Sequence, residues 1–547
     1  MSWSNWILFL AVVQIIHGLG TWKMYKAAGR QAWEAFIPLY NAVIATKIIN
    51  RPWYYAILLL LPIVNLIMLI VFWVEMCRSF GYNKAKDTIL VIATLGFYLY
   101  YLNYTQPFNY IENRELKPRT AAGEWTSSIL FAIVAATIVH TYVMQPFIIP
   151  TSSLEKSLLI GDFLLVSKFH YGARLPMTTV AAPMVHDTIP VANVKSYLSK
   201  PELPYTRLPG FQDIKRNDIV VFNWPVDTLD IWGADDGKHH YKPIDKRTNY
   251  VKRCVGVPGD TLSIIDGKVY IDGKPLDLPE RAKIQYSYLL TTDGHIFDQR
   301  KMLIEYGITD QVEYGSNNQG NGRMYIKSAT DEALEKLKAT GHILDVEKVD
   351  QKTGPQRYSK TRMIDGESVT RSEPYIFPYT GLYGNTNDDR DPFLIPAKGQ
   401  TVRIDFKNIH YFRRIIEVYE GSEMDYFNQI TVLGNQVYLN NAPLEEYTFK
   451  QNYYWLMGDN RDNSLDSRFW GYVPESHVVG KPVFVWMSYD PNQSFPTGVR
   501  TERLFTTVNG SGQPRSYLIY FLVALGIYIA GSRFYKNRKK NKEAAKK

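Results

Sequence analysis

Five apolar stretches of this chain approach the length of a membrane-spanning helix, and they lie toward its two ends. A helix needs about 20 predominantly apolar residues to cross the hydrocarbon layer of a bilayer. The stretches are Trp6–Trp22, Trp53–Val74, Thr88–Tyr104, Trp125–Met144 and Tyr517–Ser532. Tryptophan at several of their ends is typical of the membrane interface. The sequence therefore predicts a multi-pass membrane protein with a polar middle region.

The first stretch is predicted to stay in the protein and not to be cleaved as a signal peptide. No basic residue precedes it, whereas Lys23, Lys26 and Arg30 follow it. A signal peptide has the reverse arrangement, with a basic segment before its apolar core.

Basic residues set the expected orientation, because they concentrate in cytoplasmic loops. The tail Arg533–Lys547 has eight Lys and Arg against one Glu, and the fourth stretch is preceded by Arg114, Lys117 and Arg119. Both places are predicted to be cytoplasmic, which puts residues 146–514 outside. Five crossings would also put the basic loop Arg78–Lys86 outside, against the same rule.

The net charge of +9 belongs mostly to the tail, which contributes +7 and leaves about +2 for the rest. That balance argues against a nucleic-acid-binding body. The chain has only two cysteines, Cys77 and Cys254, so a structural disulfide within the outer region is excluded by count. Its ten histidines show no HExxH or HxxEH pattern, and no metal or cofactor is expected.

The outer region reads as mostly β structure. Short runs of β-branched and aromatic residues are separated by turns such as Asp266-Gly267 and Asp272-Gly273, a pattern typical of a sandwich or a barrel-like sheet. One helix is predicted at Asp331–Thr340. The predicted strands are 162–168, 218–223, 250–257, 261–265, 268–271, 436–439 and 481–487.

Three polar segments of the outer region could form a hydrolytic site together. They are 149–162 (IPTSSLEKSLLIGD), 250–260 (YVKRCVGVPGD) and 458–474 (GDNRDNSLDSRFWGYVP). A serine needs a base to take its proton, and a lysine can serve if burial lowers its pKa from ~10.4. Each segment alone has a plainer explanation: a hydroxyl-rich turn, an edge-strand lysine and an Asx-rich turn.

In order and in letters the three segments resemble the signature of type I signal peptidases, membrane-bound Ser/Lys proteases that remove signal peptides. The resemblance covers residues 125–275 and 453–489. The family pattern is roughly Pro-Ser-x-Ser-Met-x-Pro-Thr-Leu, and setting Pro150 on its first Pro makes Ser153 the nucleophile. The resemblance implies that Lys252 is the general base.

The resemblance also assigns supporting roles. Thr151 and the backbone N–H of Ser153 would form the oxyanion hole, and Ser464 would orient the lysine. Three further residues would give structural support: Asp466, Arg468 and Arg253.

The chain departs from the family pattern at three places. Leu154 stands where Met is usual, Lys156 where Pro is usual, and Asn217 where Gly is usual. The charges of Asp459–Asp462 are expected to pair among themselves within a polar turn.

The expected fold is a mostly β extracytoplasmic catalytic domain of the signal-peptidase type, with a long inserted subdomain and several transmembrane helices. The expected parts are a membrane domain with about three spanning helices (1–120), an anchoring helix (121–146), the first catalytic part (147–274), a non-catalytic insert (275–452), the second catalytic part (453–500), a C-terminal helix (515–534) and a basic cytoplasmic tail (535–547).

The implied function is an endopeptidase that removes signal peptides after small, Ala-x-Ala-like residues at the outer face of a bacterial cytoplasmic membrane. Its implied partners are preproteins, membrane lipids and the secretion translocon. Three alternatives stay open. One is a protease of the same fold that matures a restricted set of exported proteins, another is a non-catalytic envelope binding protein, and the third is a transporter.

Overall fold

The computed structural model describes residues 3–118, 120–227, 240–316, 322–349, 357–364, 367–374 and 376–544. They form two compact units. The first comprises Met1–Met144, Gly172–Pro209 and Asp227–Thr248, and the second comprises Gln145–Tyr171, Gly210–Val226 and Asn249–Lys547.

The α-helices are labelled α1 to α12 in chain order. They are Trp3–Ala27, Tyr40–Ile48, Tyr55–Leu58, Val64–Ser79, Ala85–Ala93, Tyr98–Thr105, Ala121–Ile138, Gln299–Ile304, Asp331–Lys338, Ile409–Arg414, Ser467–Trp470 and Leu518–Ala544. Within the described residues, three helical segments are long and apolar enough to cross a membrane: Trp3–Ala27, Ala121–Val143 and Leu518–Arg538.

The second and third apolar stretches differ from the prediction of one continuous helix each. Trp53–Val74 is divided between α3, which ends at Leu58, and α4, which begins at Val64, and the break contains Pro62 and Ile63, whose φ is 70°. Thr88–Tyr104 is divided between α5 and α6, which are bent by 118°. Proline disfavours helical geometry in the residue before it and removes a backbone donor. A count of apolar residues does not register such breaks.

The strands are labelled β1 to β25 in chain order. They are Met144–Ile148, Asp162–Ser167, Thr188–Ile189, Val194–Lys195, Ile219–Asn223, Asn249–Gly256, Thr261–Ile265, Lys268–Ile271, Lys274–Pro275, Tyr286–Thr292, Glu313–Ser316, Gly322–Ala329, Ile343–Lys348, Arg357–Ile364, Glu367–Pro374, Arg390–Leu394, Thr401–Arg403, Ile430–Leu433, Gln436–Leu439, Ala442–Pro443, Glu446–Thr448, Tyr453–Met457, Val473–Pro474, Val478–Ser488 and Thr506–Thr507.

The second unit is built on an eight-stranded sheet in the order β1-β2-β24-β5-β6-β22-β23, with β25 paired to β24. The strands β5 and β22 flank β6 and run antiparallel to it. Lys252 lies opposite Val220 in this register. The lysine is therefore on an interior strand, which removes the edge-strand explanation for it.

The mostly β fold predicted for residues 146–514 is confirmed. Each predicted strand matches an observed one, although β24 begins three residues earlier than expected, and α9 matches the predicted helix. The predicted turn at Asp266-Gly267 joins β7 and β8 as a two-residue hairpin, with φ of 52° and 73°. Asp and Gly suit this turn because both central residues need positive φ.

The expected insert 275–452 contains two different kinds of structure. Its first part, from β10 to β13, is a four-stranded sheet in the order β11-β12-β10-β13, with its own core of residues such as Leu290, Met324 and Leu337. Its last part, from residue 376 onward, shares one core with β7 and β8, where Ile264 packs in the same cluster as Phe412. Among the described residues of the insert, the first part therefore has a hydrophobic cluster separate from that of β7 and β8.

Candidate active site

Ser153 and Lys252 are brought together within the second unit. The Nζ of Lys252 lies 2.5 Å from the Oγ of Ser153, and the two residues are 3% and 8% exposed, respectively. Ser153 lies in a single 3₁₀ turn, Ser152–Leu154, that follows β1. Lys252 lies on β6, between β5 and β22. A buried amine in contact with a serine hydroxyl is positioned to accept its proton.

Burial dominates the electrostatics of Lys252. Desolvation lowers the pKa of its amine from 10.5 to about 8, the Asp466 carboxylate opposes that change, and the Arg468 guanidinium reinforces it. Burial disfavours the ammonium form because low-dielectric surroundings solvate charge poorly. Asp466 and Arg468, to which the resemblance assigns structural support, thus also affect the pKa of this lysine.

The turn after β22 holds the backbone of the nucleophile in place. The N–H of Asn460 donates to the Ser153 carbonyl at 3.1 Å, and the Nδ2 of Asn460 donates to the Ser152 carbonyl at 3.2 Å. Asn463 donates to the Ser152 hydroxyl at 2.8 Å. Sequence reasoning missed both asparagines, although their position next to the predicted serine could have drawn attention to them as amide donors.

Gly458 makes the close approach of the two segments possible. A Cβ at this position would lie 2.2 Å from the Ser464 Oγ and 2.5 Å from the Ser153 carbonyl oxygen. Ser464 is therefore beside the nucleophile turn, as its expected role requires. Its Oγ is buried and has no hydrogen-bond partner among the described residues, so the expected bond to Lys252 is not formed here.

Two buried ion pairs support the site. Arg468 binds both oxygens of Asp466 at 2.9 Å. Arg253 on β6 binds both oxygens of Asp459 at 2.7 and 2.6 Å. Burial raises the pKa of Asp466, but the charge and the hydrogen bonds of Arg468 outweigh it and hold that pKa below its usual value. The charge of Asp459 is thus paired with another strand, and the prediction that it pairs within its own turn is wrong.

Two departures from the family pattern have different structural consequences. Asn217 has φ of 72°, and asparagine tolerates this left-handed conformation better than most residues other than glycine. The replacement of Gly therefore keeps the backbone geometry. Lys156 has φ of 71°, which proline cannot adopt. The loop after the nucleophile must therefore differ locally from one that carries proline there.

Thr151 lies at the entrance of the nucleophile turn. It has extended backbone geometry, its side chain makes no cap hydrogen bond, and it is exposed. Its hydroxyl is thus free of the turn and next to Ser153 in the chain. Among the described residues, no group of three or more His, Cys, Asp and Glu side chains could hold a metal ion.

Fold and site together define a membrane-anchored β protein with a serine hydroxyl in contact with a buried amine. A family model for signal peptidase, peptidase S26, matches residues 122–318 and 394–487, more than half of the chain. The chain belongs to this family and is a serine endopeptidase. The segment between the two matched parts is shorter than the insert expected from the motifs. A second model, for a family of unknown function (DUF5684), matches residues 33–113.

Several curated proteins that are similar to this chain are named signal peptidase I. The signal peptidase I of Buchnera aphidicola subsp. Acyrthosiphon pisum is 24% identical over 68% of this chain and 77% of its own length. That of Buchnera aphidicola subsp. Schizaphis graminum is 23% identical over 80% of this chain and 93% of its own length. That of Haemophilus influenzae is 24% identical over 73% of this chain and 79% of its own length.

Proposed function

We propose that this protein removes signal peptides from exported preproteins, with Ser153 as the nucleophile and Lys252 as the general base. The observation that carries the proposal is the 2.5 Å contact between the two side chains. Burial also lowers the pKa of this lysine to about 8. With that pKa, roughly a tenth of the lysine is neutral at pH 7, against a few parts in ten thousand for an ordinary lysine.

The reaction follows from the positions of these groups. Lys252 Nζ accepts the proton of the Ser153 hydroxyl as the oxygen attacks the carbonyl carbon of the scissile peptide bond. The resulting oxyanion accepts hydrogen bonds from the Ser153 N–H and the Thr151 hydroxyl. Lys252 then gives its proton to the leaving amine, and an acyl-serine ester remains. A water molecule, deprotonated by Lys252, hydrolyses the ester and restores the serine.

The position of the nucleophile in the chain matches such a substrate. Ser153 follows the apolar segment Ala121–Val143 by about ten residues, which extend at most ~35 Å. The apolar core of a signal peptide lies in the bilayer, and its cleavage site follows that core. A nucleophile tethered to a spanning helix can therefore meet the cleavage site as it emerges at the outer face of the cytoplasmic membrane.

The preference for small residues one and three positions before the cut is carried over from the family. The charge pattern supports a cytoplasmic location for the tail and an outer location for Ser153. Preproteins that leave the translocon, together with the surrounding lipids, would be the partners of this site.

Cleavage by the full-length protein, reconstituted in lipid vesicles, tests the proposal. A preprotein with an Ala-x-Ala site is the substrate, and mass spectrometry of the released mature chain locates the cut. Ser153→Ala should abolish cleavage, because it removes the attacking oxygen. Ser152→Ala is the matched control and should keep most activity, since the Ser152 hydroxyl accepts from Asn463 and does not contact Lys252. An active Ser153→Ala variant would refute the assignment.

A further inference from the structure

Glu75 joins three arginines that are far apart in the sequence of the first unit. It contacts Arg114 directly, and it lies 3.5 Å from the Nη2 of Arg51 and 3.7 Å from the Nη1 of Arg78. Arg51 precedes the apolar segment 52–74, and Arg78 follows it. Both ends of that segment therefore meet at one carboxylate, although a spanning helix would separate them by the thickness of the bilayer.

The next apolar segment closes on itself in the same way. The N–H of Ile111 donates to the Ser79 carbonyl at 2.9 Å, and the Tyr82 hydroxyl donates to the Pro107 carbonyl at 2.6 Å. Arg114 brings the end of this segment to the Glu75 cluster as well. Residues that enter and leave α5 and α6 are thus neighbours.

The contacts of α6 with α1 lie in the C-terminal half of α1. Asn103 accepts from the N–H of Lys23 and donates to the Leu19 carbonyl, both at 3.1 Å, and the Tyr100 hydroxyl donates to the Ile16 carbonyl. Each of these three positions is closer to the basic end of α1 than to its start. Helix α6 therefore lies alongside the half of α1 that leads to Lys23.

The other end of α1 belongs with the outer region. The indole N–H of Trp6 donates to the Glu202 carbonyl at 2.7 Å, and Glu202 follows the spanning segment Ala121–Val143 in the chain. With α1 and α7 as spanning helices, Trp6 lies on the face of the membrane that follows α7, whereas α6 contacts the half of α1 that leads to Lys23.

Apolar side chains surround the bend between α5 and α6 and are not covered by the protein. Leu95 is 69% exposed and Phe97 is 59% exposed. Helix α5 has nine residues, which span ~14 Å, about half of the hydrocarbon layer. Acyl chains of one leaflet would cover such a bend.

We propose that residues 52–74 and 79–111 are two hairpins that enter the bilayer from the cytoplasmic face and return to it. The chain then crosses the membrane with α1, α7 and α12 alone. Lys84 and Lys86 come to the same face as Arg114, so the positive-inside rule holds for the whole chain. That this face is the cytoplasmic one rests on the orientation in the proposed function. That each hairpin returns to the face from which it entered does not rest on it.

Labelling of single cysteines tests the path of the chain. Exposed positions before, between and after the hairpins are changed in turn: Lys47→Cys, Asn83→Cys and Glu112→Cys. Spheroplasts are treated with a membrane-impermeant maleimide, with and without permeabilisation. Cys77 and Cys254 are buried, so the unsubstituted protein serves as the blank, and Asn492→Cys in the outer region is the reference.

All three positions should be labelled only after permeabilisation, and Asn492→Cys without it. Labelling of Asn83→Cys in intact spheroplasts, with Lys47→Cys and Glu112→Cys protected, would overturn the proposal, because it would mean that both segments cross. If Asn492→Cys is protected instead, the orientation in the proposed function fails. The hairpins then still stand if Asn83→Cys shares the accessibility of Glu112→Cys, and fall if it does not.

A spin label at Ile92→Cys tests whether lipid covers the bend. In vesicles of phosphatidylethanolamine and phosphatidylglycerol, molecular oxygen should relax this label more strongly than a water-soluble nickel chelate. The label at Asn83→Cys should show the opposite order. Stronger relaxation by the chelate at Ile92→Cys would show that the bend is in water and would overturn the lipid-embedded placement.

Discussion

Replacement of Lys252 by methionine should abolish cleavage and yet stabilise the protein below pH 8. The folded state lowers the pKa of this amine from 10.5 to about 8, so between these values the unfolded chain holds a proton that the folded protein has lost. The free energy of unfolding therefore rises with pH across that window. Below pH 8 the buried ammonium costs the folded state roughly 3 kcal/mol, a cost that methionine avoids.

Thermal unfolding in detergent micelles measures this difference. At pH 7 the midpoint of Lys252→Met should exceed that of the unsubstituted protein by several degrees, and the gap should close as the pH approaches 10.5. Lys215→Met, at an exposed position, is the matched control and should show no such gap. A Lys252→Met variant that is less stable at pH 7, or that still cleaves preprotein, would refute the reasoning.

The remaining predictions concern activity. The kcat/KM of the unsubstituted protein should rise with pH to half its plateau near pH 8; a midpoint above pH 10 would argue against a desolvated base. Thr151→Ala should lose part of the activity, by up to about 100-fold, and Thr151→Ser should keep it; equal rates would remove Thr151 from the oxyanion hole. Gly458→Ala should lower kcat because its Cβ would displace Ser464 and the Ser153 carbonyl; an unchanged kcat would show that the turn tolerates the shift. Chelator treatment should leave cleavage intact, whereas restoration by a divalent ion after loss would contradict the Ser/Lys assignment.

The β framework of the catalytic region could be read from the sequence because its signals are local. Alternating β-branched residues and an Asp-Gly turn specify β7 and β8 within about ten residues of chain. The pairing of Ser153 with Lys252 was reached through resemblance, since residues 99 positions apart carry no local signal of their contact.

What the sequence did not show depends on long-range packing. Asn460 holds the nucleophile turn through backbone carbonyls, which any residue can supply, and Asn463 reaches a hydroxyl 311 positions away in the chain. Asp459 was expected to pair with a neighbour but reaches Arg253 on β6, because burial of both groups favours a bidentate pair over a solvated turn. The composition of an apolar stretch does not show where its backbone turns. The contacts that bring both ends of 52–74 to Glu75 could therefore not be predicted.

The two chain ends of the four-stranded sheet from β10 to β13 lie next to each other. The N–H of Val349 donates to the Ser287 carbonyl at 2.9 Å, and the adjacent Gln285 exchanges backbone hydrogen bonds with Asp459 and Arg461 at 2.9 Å each. A module whose two ends meet can be gained or lost in one event without separating the strands of its host. Its attachment points, Asp459 and Arg461, lie on either side of Asn460, whose N–H donates to the Ser153 carbonyl, so the module is anchored to the same turn that holds the nucleophile.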